Sequence, residues 1–389
     1  MKKVVHVLSL KGIGGVQKNF LDYYKSIDVK ENNLHKVYVI GRKSKLFLNK
    51  NFFSLYSFFS IITFLYYLRS KKYIIHFYNN FGSIKLYYLL ILFKSNNIII
   101  HERGTSWNLN SKFSHRLKFI SSKCDKIIVN SKATKFLIIN KFNLHHIVSK
   151  IEVIYNGINI ENNHNIRESF SNKKKQIFKV GFIGRIETPK SVHTLIDVAN
   201  ILKNKKNHYI YEFIIAGDGN LLNFIKDYAK DIPNIKFIGF VKDHKLFFKQ
   251  INLLLVPSIR EPFGNIILEA GICKIPVIAS FIDGIPEIID NNLNGILIEP
   301  NKPVFENVFF SDQISKPEYV FSPILNKLIP PKEIDPNTLA LKLIEVSEDD
   351  LLIQKLTFNL YNKVKLEFNM TNYKKAVNKI YKSFNINEN

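Results

Sequence analysis

Residues 253–271 have the sequence LLLVPSIREPFGNIILEAG. The first four residues are apolar and predict a buried parallel strand, the Pro- and Gly-containing segment after them predicts a loop, and the apolar run from Ile266 predicts a helix. At the end of such a strand, a loop-to-helix junction directs backbone N–H groups and a positive dipole at a ligand, which suits a phosphate. Glu261 and Glu269 bracket seven residues here, and their carboxylates can flank a ligand and accept hydrogen bonds from its hydroxyl groups.

An isolated pair of glutamates has a simpler interpretation, in which one is a surface residue and the other is stabilised by a helix dipole. The following residues favour a binding site instead, because they continue as PV at 276–277, GIPE at 284–287 and NG at 294–295. The whole segment resembles the donor-binding signature of the retaining glycosyltransferases of family 4, which have the GT-B fold. The resemblance covers nearly the whole chain. It is most specific between residues 178 and 300 and least specific between 301 and 335.

Short β-branched runs alternate with longer helical stretches along the chain and predict an α/β protein with parallel sheets. The predicted strands of the first half lie at 3–8, 35–40, 73–77, 97–100, 126–129 and 152–155. Those of the second half lie at 178–183, 211–216, 235–240, 253–256 and 275–279. A lysine-rich segment with little apolar content, 169–177, predicts a linker between an N-terminal domain, 1–168, and a C-terminal domain, 178–368.

The resemblance implies the GT-B arrangement, in which two Rossmann-like domains face each other across a cleft. The first domain would bind the acceptor and the second the nucleotide-sugar donor. The helical periodicity of 369–388 predicts the C-terminal helix that crosses back to the N-terminal domain in such enzymes. Residues 301–333 are an insertion relative to that pattern, rich in proline and aromatic residues, and a connection of this length is usually functional or mobile.

The chain has 389 residues, of which 46% are hydrophobic and 23% charged, as expected for two globular domains. Its net charge of +24 is uneven, since residues 1–170 carry 27 basic and 8 acidic side chains, against 29 and 24 in the remainder. A positive field attracts nucleic acid, anionic lipid or phosphorylated glycolipid. A non-catalytic nucleic-acid-binding module is one alternative, but the aromatic residues lie in apolar runs that predict core rather than base-stacking surfaces. We therefore expect no nucleic-acid partner.

The segment 184–191, GRIETPKS, follows the first strand of the second domain. The planar fork of Arg185 and the point charge of Lys190 can hold phosphate oxygens and neutralise a departing diphosphate without a metal. The alternative is that both are solvated surface cations. The segment resembles the Gly-Arg…Lys motif of family 4. No Asp-x-Asp pair, with which metal-dependent GT-A enzymes hold a cation on the diphosphate, occurs in the sequence, so we expect neither a metal nor another cofactor.

In the first domain, Gly14 and Gly15 lie between the first strand and a helical run. The segment lacks the third glycine and the acidic residue of a dinucleotide fingerprint, which argues against an NAD enzyme. It resembles the family's loop over the donor diphosphate. His101 follows a buried strand and lies at the ligand-binding edge of a parallel sheet. A structural histidine is the alternative, but similar enzymes have a histidine here that contacts the donor sugar. Glu102 and Arg103 are predicted to position the acceptor.

The resemblance implies specific roles for individual residues. Glu269 would accept hydrogen bonds from the ribose diol, Glu261 would hold hydroxyls of the donor sugar, and Arg185 and Lys190 would stabilise the leaving diphosphate. The predicted catalytic set is Glu261, His101, Arg185 and Lys190. The predicted donor-binding set is Gly14, Gly15, Gly184, Arg185, Lys190, Gly217, Gly239, Phe263, Gly264, Asn265 and Glu269.

The implied activity is transfer of a hexose, with retention of anomeric configuration, from a nucleoside diphosphate sugar. A UDP-sugar is the first expectation and GDP-mannose the next, and a GT-B epimerase or hydrolase is the rival. Residues 52–68 and 87–93 combine aromatic and aliphatic bulk with nearby cations, among them Lys43, Lys45, Lys50, Arg69, Lys71 and Lys72. This predicts a buried or interfacial helix in place of a membrane span.

We therefore expect a cytoplasmic enzyme at the inner face of the membrane. Its acceptor would be a lipid-linked or cell-surface glycan such as lipopolysaccharide or capsule. The alternative is that these helices pack wholly into the core and the cations only increase solubility.

Overall fold

The computed structural model describes residues 2–10, 14–40, 51–93, 95–160, 177–203, 208–304 and 317–386. The chain divides into two compact units, of which the first comprises Met1–Asn159 and Phe368–Asn389 and the second Ile160–Glu367. The predicted boundary at 168 and the predicted linker lie outside the described residues, except that Ile177 begins a strand. Both units are α/β with parallel sheets, which confirms the predicted fold class.

The first unit has a seven-stranded parallel sheet in the order β3-β2-β1-β4-β5-β6-β7. Its strands are β1 (Lys3–Leu8), β2 (His35–Val39), β3 (Phe52–Ser54), β4 (Tyr73–Tyr78), β5 (Ile98–Glu102), β6 (Lys126–Val129) and β7 (Ile151–Val153). The helices are α1 (Gly15–Lys25), α2 (Val29–Asn32), α3 (Phe58–Arg69), α4 (Ile84–Leu92), α5 (Ser114–Lys123) and α6 (Lys132–Lys141). The strand order reverses between β1 and β4, and the carboxyl ends of strands at such a point form the usual ligand site of this kind of sheet.

One prediction for this unit was wrong. We expected a helix from residue 52, but Phe52–Ser54 is a short edge strand that pairs in parallel with β2, Val37 lying opposite Phe52. The helix begins only at Phe58. A short aromatic run has no periodicity of its own, and the free edge of β2 decides its conformation.

The second unit has a six-stranded parallel sheet in the order β10-β9-β8-β11-β12-β13. Its strands are β8 (Ile177–Ile183), β9 (Ile210–Ala216), β10 (Ile235–Gly239), β11 (Leu253–Val256), β12 (Val277–Ser280) and β13 (Ile296–Ile298). The helices are α7 (Val192–Leu202), α8 (Leu222–Tyr228), α9 (His244–Phe248), α10 (Asn265–Ile272), α11 (Pro336–Glu348) and α12 (Asp350–Glu367). Because β8 and β11 are neighbours at the point where the order reverses, the loops after them, 184–191 and 257–264, lie side by side.

The described part of the 301–333 insertion is built from two small antiparallel ladders. Strand β14 (Lys302–Pro303) pairs with β17 (Lys332–Glu333), and β15 (Val320–Ser322) pairs with β16 (Lys327–Ile329). Residues 305–316 lie outside the described part. The first and last strands of the insertion, β14 and β17, therefore pair with each other and close it at its base.

The last helix, α13 (Met370–Ile386), belongs to the first unit. Its buried residues recur every three or four positions, at Met370, Tyr373, Val377, Ile380, Tyr381 and Phe384, which is the pattern of a helix that buries one face. They join the core formed by α1 and one face of the sheet. The helix starts at a backbone bridge in which Met370 N donates to Ile158 O at 3.0 Å.

Candidate active site

Lys190 and Glu261 form an ion pair where the loops after β8 and β11 meet. Lys190 Nζ lies 2.5 Å from Glu261 Oε2, and the two side chains keep 21% and 12% of their surface exposed. The loops are tied together directly, since Ile259 N donates to Pro189 O at 3.0 Å. The structure therefore brings together two residues of the predicted catalytic set that are 71 positions apart in sequence.

Arg185 lies on the same loop as Lys190 but is far more accessible. Its guanidinium pairs with Glu187 at 2.8 Å while the side chain stays 70% exposed. An exposed pair of this kind contributes little to stability. The guanidinium can therefore exchange Glu187 for an anionic ligand at small cost.

The predicted donor-binding glycines of this unit pack backbone against backbone. A Cβ atom on Gly217, whose φ is +137°, would lie 1.8 Å from the carbonyl oxygen of Gly184. Gly217 N in turn donates to Gly239 O at 2.7 Å, so the ends of β8, β9 and β10 form adjoining turns. At Gly239 φ is +70° and a Cβ would meet nothing within 4 Å. Gly217 is required by close packing, and Gly239 only by its backbone angle.

Helix α10 begins at Asn265 after Gly264, which has a φ of +107°. The left-handed conformation turns the chain sharply from the loop into the helix, a role that glycine fills without a Cβ penalty. Phe263 is buried and anchors the loop rather than lining an accessible surface. The N-terminus of α10 follows Glu261 by a few residues, so its positive dipole acts close to the Lys190–Glu261 pair.

Glu269, one helical turn further along, has a partner that the sequence did not reveal. Its Oε2 lies 2.5 Å from Nδ1 of His244, the first residue of α9. Asp243 caps this short helix by accepting a hydrogen bond from Lys245 N at 2.9 Å. Nothing in the local pattern VKDHK marks His244 as a site residue, because the contact spans 25 positions.

A second buried carboxylate supports the loop that carries Glu261. Asp283 is buried, has a φ of +48°, and accepts a hydrogen bond from Glu261 N at 2.8 Å. Burial raises the pKa of Asp283 well above its ordinary value, although the backbone donors and nearby Arg260 oppose the shift. Arg260 is also buried, and burial lowers its pKa. Sequence inspection missed both residues, because neither lies in a recognisable spacing.

In the first unit, His101 belongs to a buried cluster of histidine and tyrosine side chains. Four histidines from adjacent strands form it together with tyrosines of α1, β4 and α13: His6, His35, His76, His101, Tyr23, Tyr78, Tyr373 and Tyr381. His101 stacks on His76 with ring centroids 5.4 Å apart, and Arg103 Nε donates to His101 Nε2 at 3.2 Å. Among the described residues, His101 Nδ1 has no hydrogen-bond partner.

Burial lowers the pKa of each of these four histidines, and that of His35 to about 4. The cluster is therefore uncharged at neutral pH. A contact of His101 with the donor sugar stays a prediction, and the described surroundings of its ring are those of a core residue.

Glu102 and Arg103, predicted to position the acceptor, both have local structural partners. The Glu102 carboxylate is buried and accepts hydrogen bonds from Gly104 N at 2.7 Å and Thr105 Oγ1 at 2.5 Å. Burial raises its pKa, although these donors oppose the shift. Arg103 donates to Asn19 Oδ1 and, at 2.7 Å, to Tyr373 Oη. Their described contacts fix the turn after β5 and join it to α1 and α13.

The two predicted glycines of the first unit lie at the start of α1. Gly15 is its first residue, and Gly14 is the N-cap, whose N–H donates to Gln17 Oε1 at 3.2 Å. No acidic residue lies in the first turn of α1, which leaves its positive dipole available to an anion. A donor contact by this loop stays a prediction.

Helices α3 and α4 present apolar side chains to solvent. On α3 only Phe64, Tyr67 and Leu68 are buried, and on α4 only Leu86 and Leu90. The exposed large apolar residues are Tyr56, Phe58, Phe59, Ile61, Ile62 and Tyr66 on or before α3, and Ile84, Tyr88, Ile91 and Leu92 on α4. The alternative that these helices pack wholly into the core is wrong.

The C-terminal ends of the two helices meet, since the Arg69 guanidinium is 5.5 Å from the Phe93 ring centroid. Arg69, Lys71, Lys72 and Lys85 are exposed beside them, whereas Lys43, Lys45 and Lys50 fall outside the described residues. Within the described ranges, no helix is both long and apolar enough to cross a bilayer.

Two family models match adjoining parts of the chain. "Glycosyltransferase Family 4" matches residues 26–162, and "Glycosyl transferases group 1" matches residues 161–304. The second match contains the whole of the Lys190–Glu261 site and Glu269.

Curated relatives match mainly part of the chain. An uncharacterized glycosyltransferase of Methanocaldococcus jannaschii, MJ1607, is 30% identical over 217 residues, 51% of this chain and 54% of that protein. The capsular polysaccharide biosynthesis glycosyltransferase CapM of Staphylococcus aureus is 28% identical over 37% of this chain and 40% of its own. A UDP-Gal:alpha-D-GlcNAc-diphosphoundecaprenol alpha-1,3-galactosyltransferase of Escherichia coli is 30% identical over 39% and 42%. The chain thus spans about half the length, or less, of the curated relatives it matches.

Solved structures match over almost the entire chain. Anabaena HepE, crystallised with UDP and glucose, superposes with a TM-score of 0.70 and 18% identity, over 98% of this chain and 100% of its own. The lipopolysaccharide outer core galactosyltransferase WaaB superposes with a TM-score of 0.66 and 16% identity, over 98% and 99%. At these identities the likeness establishes the fold alone, which is that of GT-B proteins. With its two matched domains and this fold, the chain belongs to the group 1 and family 4 glycosyltransferases.

Proposed function

We propose that this protein is a retaining hexosyltransferase that transfers a sugar from a UDP-sugar to a lipid-linked or cell-surface glycan. The observation that carries the proposal is the Lys190–Glu261 ion pair beside the N-terminus of α10, with the exposed Arg185 on the same loop. Two cations, a carboxylate and a helix dipole suit a sugar attached to a diphosphate. They also lie within the part of the chain matched by the group 1 model.

The charges of the site change partners when donor binds. Lys190 leaves Glu261 for a diphosphate oxygen, and Glu261 is then available to accept hydrogen bonds from sugar hydroxyls. Arg185 exchanges Glu187 for the same diphosphate. Two cations and the α10 dipole together stabilise the negative charge that develops on the leaving group, and the reaction therefore needs no metal ion.

Retention of configuration follows from attack on the face that the leaving group departs from. The acceptor hydroxyl forms the new glycosidic bond to the anomeric carbon as the bond to the diphosphate breaks. The hydroxyl proton passes to the leaving phosphate oxygen, which remains on the same face. In this scheme the protein supplies position and positive charge.

Glu269 holds the ribose of the donor. Its carboxylate lies in the second turn of α10, and its orientation is fixed by His244 at 2.5 Å. A carboxylate accepts hydrogen bonds from both hydroxyls of a diol. The spacing along α10 therefore allows one helix to bind two neighbouring groups of the donor, the ribose through Glu269 and the diphosphate through its N-terminus.

UDP is the favoured nucleotide because several of the similar proteins are named with UDP or a UDP-sugar. HepE was crystallised with UDP and with UDP-glucose, and the Escherichia coli relative is named for UDP-Gal. GDP-mannose is the next candidate donor. The acceptor class is proposed on the same ground, since relatives are named for capsular polysaccharide, O-antigen and a diphosphoundecaprenol-linked sugar.

The exposed apolar surface of α3 and α4 supports action at the inner face of the cytoplasmic membrane. Its aromatic residues and neighbouring cations suit the headgroup region of an anionic leaflet, where each nearby Lys or Arg contributes about 1 kcal/mol. A lipid-linked acceptor is presented at that surface. The enzyme would therefore be a peripheral membrane protein of the cytoplasm.

Product analysis tests the proposed reaction. The protein is incubated with UDP-glucose, UDP-galactose or UDP-N-acetylglucosamine, with and without a synthetic polyprenyl-diphosphate-linked sugar, and the products are identified by mass spectrometry and NMR. The proposal predicts an acceptor-dependent product with the anomeric configuration of the donor. An inverted linkage, an epimerised nucleotide sugar or hydrolysis that acceptor does not divert would contradict it.

A further inference from the structure

Residues 317–333 of the insertion are attached to both sides of the Lys190–Glu261 pair; we refer to them as the brace. It contains β15, β16 and β17 and is closed at its base by the pairing of β17 with β14. Two buried contacts connect it to the loops after β8 and β11. Neither contact was predicted from the sequence.

The first contact runs through Asp283 to Glu261. One carboxylate oxygen of Asp283 accepts a hydrogen bond from Glu261 N at 2.8 Å, and the other accepts one from Phe321 N at 2.7 Å. Asp283 N also donates to Phe321 O at 3.0 Å. A single buried side chain thus joins the backbone of Glu261 to the backbone of β15.

The backbone of Asp283 turns sharply at this contact. Its φ of +48° lies in the left-handed region, which glycine, asparagine and aspartate adopt more readily than other residues. The carboxyl group satisfies two backbone N–H groups in a buried place, where an unpaired N–H would be costly. Loss of the carboxylate would release both the Glu261 loop and β15.

The second contact runs through Glu333 to the loop that carries Lys190. Glu333 Oε2 lies 2.8 Å from His193 Nε2, and both side chains are almost fully buried. His193 is the second residue of α7, which begins directly after Lys190 and Ser191. The position of β17 is therefore transmitted to the start of α7.

The brace is therefore connected to both members of the ion pair. Asp283 connects it to Glu261, and Glu333 connects it to the first turn of α7, which follows Lys190. Lys190 and Glu261 in turn contact each other at 2.5 Å. We propose that the brace is a positioning element of the active site that sets the placement of Glu261 and Lys190 relative to the donor sugar and diphosphate. This inference rests on the proposed function of that pair.

A matched pair of variants isolates the first contact. Phe321→Ala and Phe321→Pro both remove the ring, but only proline also removes the N–H that donates to Asp283. Both backbone groups of Phe321 point to Asp283, so proline removes this bond without removing one between β15 and β16. We measure UDP release from whichever of UDP-glucose, UDP-galactose and UDP-N-acetylglucosamine the protein turns over, UDP affinity by calorimetry, and thermal unfolding.

If the brace positions Glu261, the kcat of Phe321→Pro should be at least about tenfold lower than that of Phe321→Ala. A displacement of a site residue by about 1 Å can lower the rate by up to a hundredfold. UDP affinity should fall less than kcat, because Glu261 contacts the sugar that UDP lacks, whereas Glu269, which holds the ribose, is not displaced. In an Asp283→Gly background, which suits the left-handed backbone, the proline should have no further effect, because both changes break one contact. Equal kcat for the proline and alanine variants would overturn the inference.

Conservative substitutions give a second test that does not depend on proline. Asp283→Asn tolerates the same φ and keeps one acceptor, so its kcat should lie between those of wild type and Asp283→Gly. Glu333→Gln can still accept from His193 and should retain kcat, whereas Glu333→Ala should lower it. Equal activity of both members in each pair would contradict a positioning role. If Lys190→Ala lowers kcat while all brace variants retain the wild-type kcat, only the positioning role of the brace is contradicted. If Lys190→Ala also retains the wild-type kcat, the proposed function is contradicted.

Discussion

Lys190 Nζ and Glu261 Oε2 lie 2.5 Å apart, although the residues follow different strands of the second sheet. The contact exists because β8 and β11 are adjacent at the point where the strand order reverses, so that their following loops meet. It places a cation and a carboxylate in one partly exposed position. In the proposed mechanism, the donor binds by exchanging this pair for its own diphosphate and hydroxyl groups.

Replacement of Lys190 by alanine should raise the barrier of the transfer reaction by about 2–4 kcal/mol, the size of one lost contact to a developing oxyanion. The quantity to measure is kcat for UDP release from a UDP-sugar. Lys226→Ala, at an exposed lysine of α8 in the same unit, is the matched control and should behave as wild type. Turnover of Lys190→Ala close to that of the control would remove Lys190 from the mechanism.

Replacement of His244 by alanine should weaken UDP binding through Glu269. The imidazole orients the carboxylate, and loss of one hydrogen bond to a charged group costs about 1.5–3 kcal/mol. Calorimetry with UDP and with 2′,3′-dideoxy-UDP distinguishes the cause. Wild type should prefer UDP, and the variant should lose most of that preference. An equal loss of affinity for both nucleotides would show that His244 does not act through the ribose.

The double substitution Phe58→Ser with Phe59→Ser should reduce binding to membranes. These rings are 71% and 78% exposed at the start of α3. Flotation with liposomes rich in phosphatidylglycerol, at low and high salt, measures the effect. The control is Leu351→Ser with Phe358→Ser, two similarly exposed apolar residues of α12. If wild type does not float at low ionic strength, or if both double variants float equally, the surface is not a membrane-binding one.

Replacement of Gly217 by alanine should destabilise the second unit, whereas the same change at Gly239 should be mild. Both have positive φ, and a left-handed non-glycine residue costs about 1–2 kcal/mol. Only at Gly217 would the new Cβ lie 1.8 Å from a backbone oxygen, so the backbone must move as well. Denaturant unfolding measures the difference. Equal stability of the two variants would contradict the described packing of the turns.

Acidification should destabilise the first unit through its buried histidines. The folded-state pKa of His35 is about 4 and the unfolded value is about 6.5, so between these values the unfolded chain binds more protons. Stability is therefore complete above about pH 6.5 and falls as the pH decreases towards 4, by up to about 1.4 kcal/mol per pH unit for one such group. His35→Gln should unfold with a smaller difference between pH 7 and pH 5 than wild type. If His35→Gln and wild type lose the same stability between pH 7 and pH 5, the low folded-state pKa of His35 is contradicted.

The sequence predicted the parts of this protein that depend on local pattern. Buried β-branched runs such as Ile98–Ile100 identified the central strands, and the glycine and proline spacing after β11 identified the loop and helix that carry Glu261 and Glu269. Phe52–Ser54 was assigned to a helix because its conformation depends on the free edge of β2, which no local pattern encodes. Strand β13 was missed because three apolar residues between turns give too short a signal.

The supporting contacts of the site could not be predicted from the sequence, because they too depend on distant parts of the chain. His244, Asp283 and Glu333 each act across 22 or more positions of sequence, and a single polar residue has no periodicity. The residue types proposed for the site follow from the chemistry of holding a diphosphate and from the resemblance to family 4. Their supporting partners could not be predicted, because only the folded sheet decides which loops are neighbours.

Nucleotide-dependent stabilisation measures whether the Lys190–Glu261 site recognises a nucleoside diphosphate. The wild-type protein and Lys190→Ala are unfolded thermally and with denaturant in the presence of UDP or GDP. A ligand at one hundred times its dissociation constant adds about 2.7 kcal/mol to the free energy of unfolding. We predict that UDP stabilises wild type at lower concentration than GDP and stabilises Lys190→Ala less than wild type. Stabilisation by neither nucleotide would show that this protein does not use a UDP- or GDP-sugar through this site.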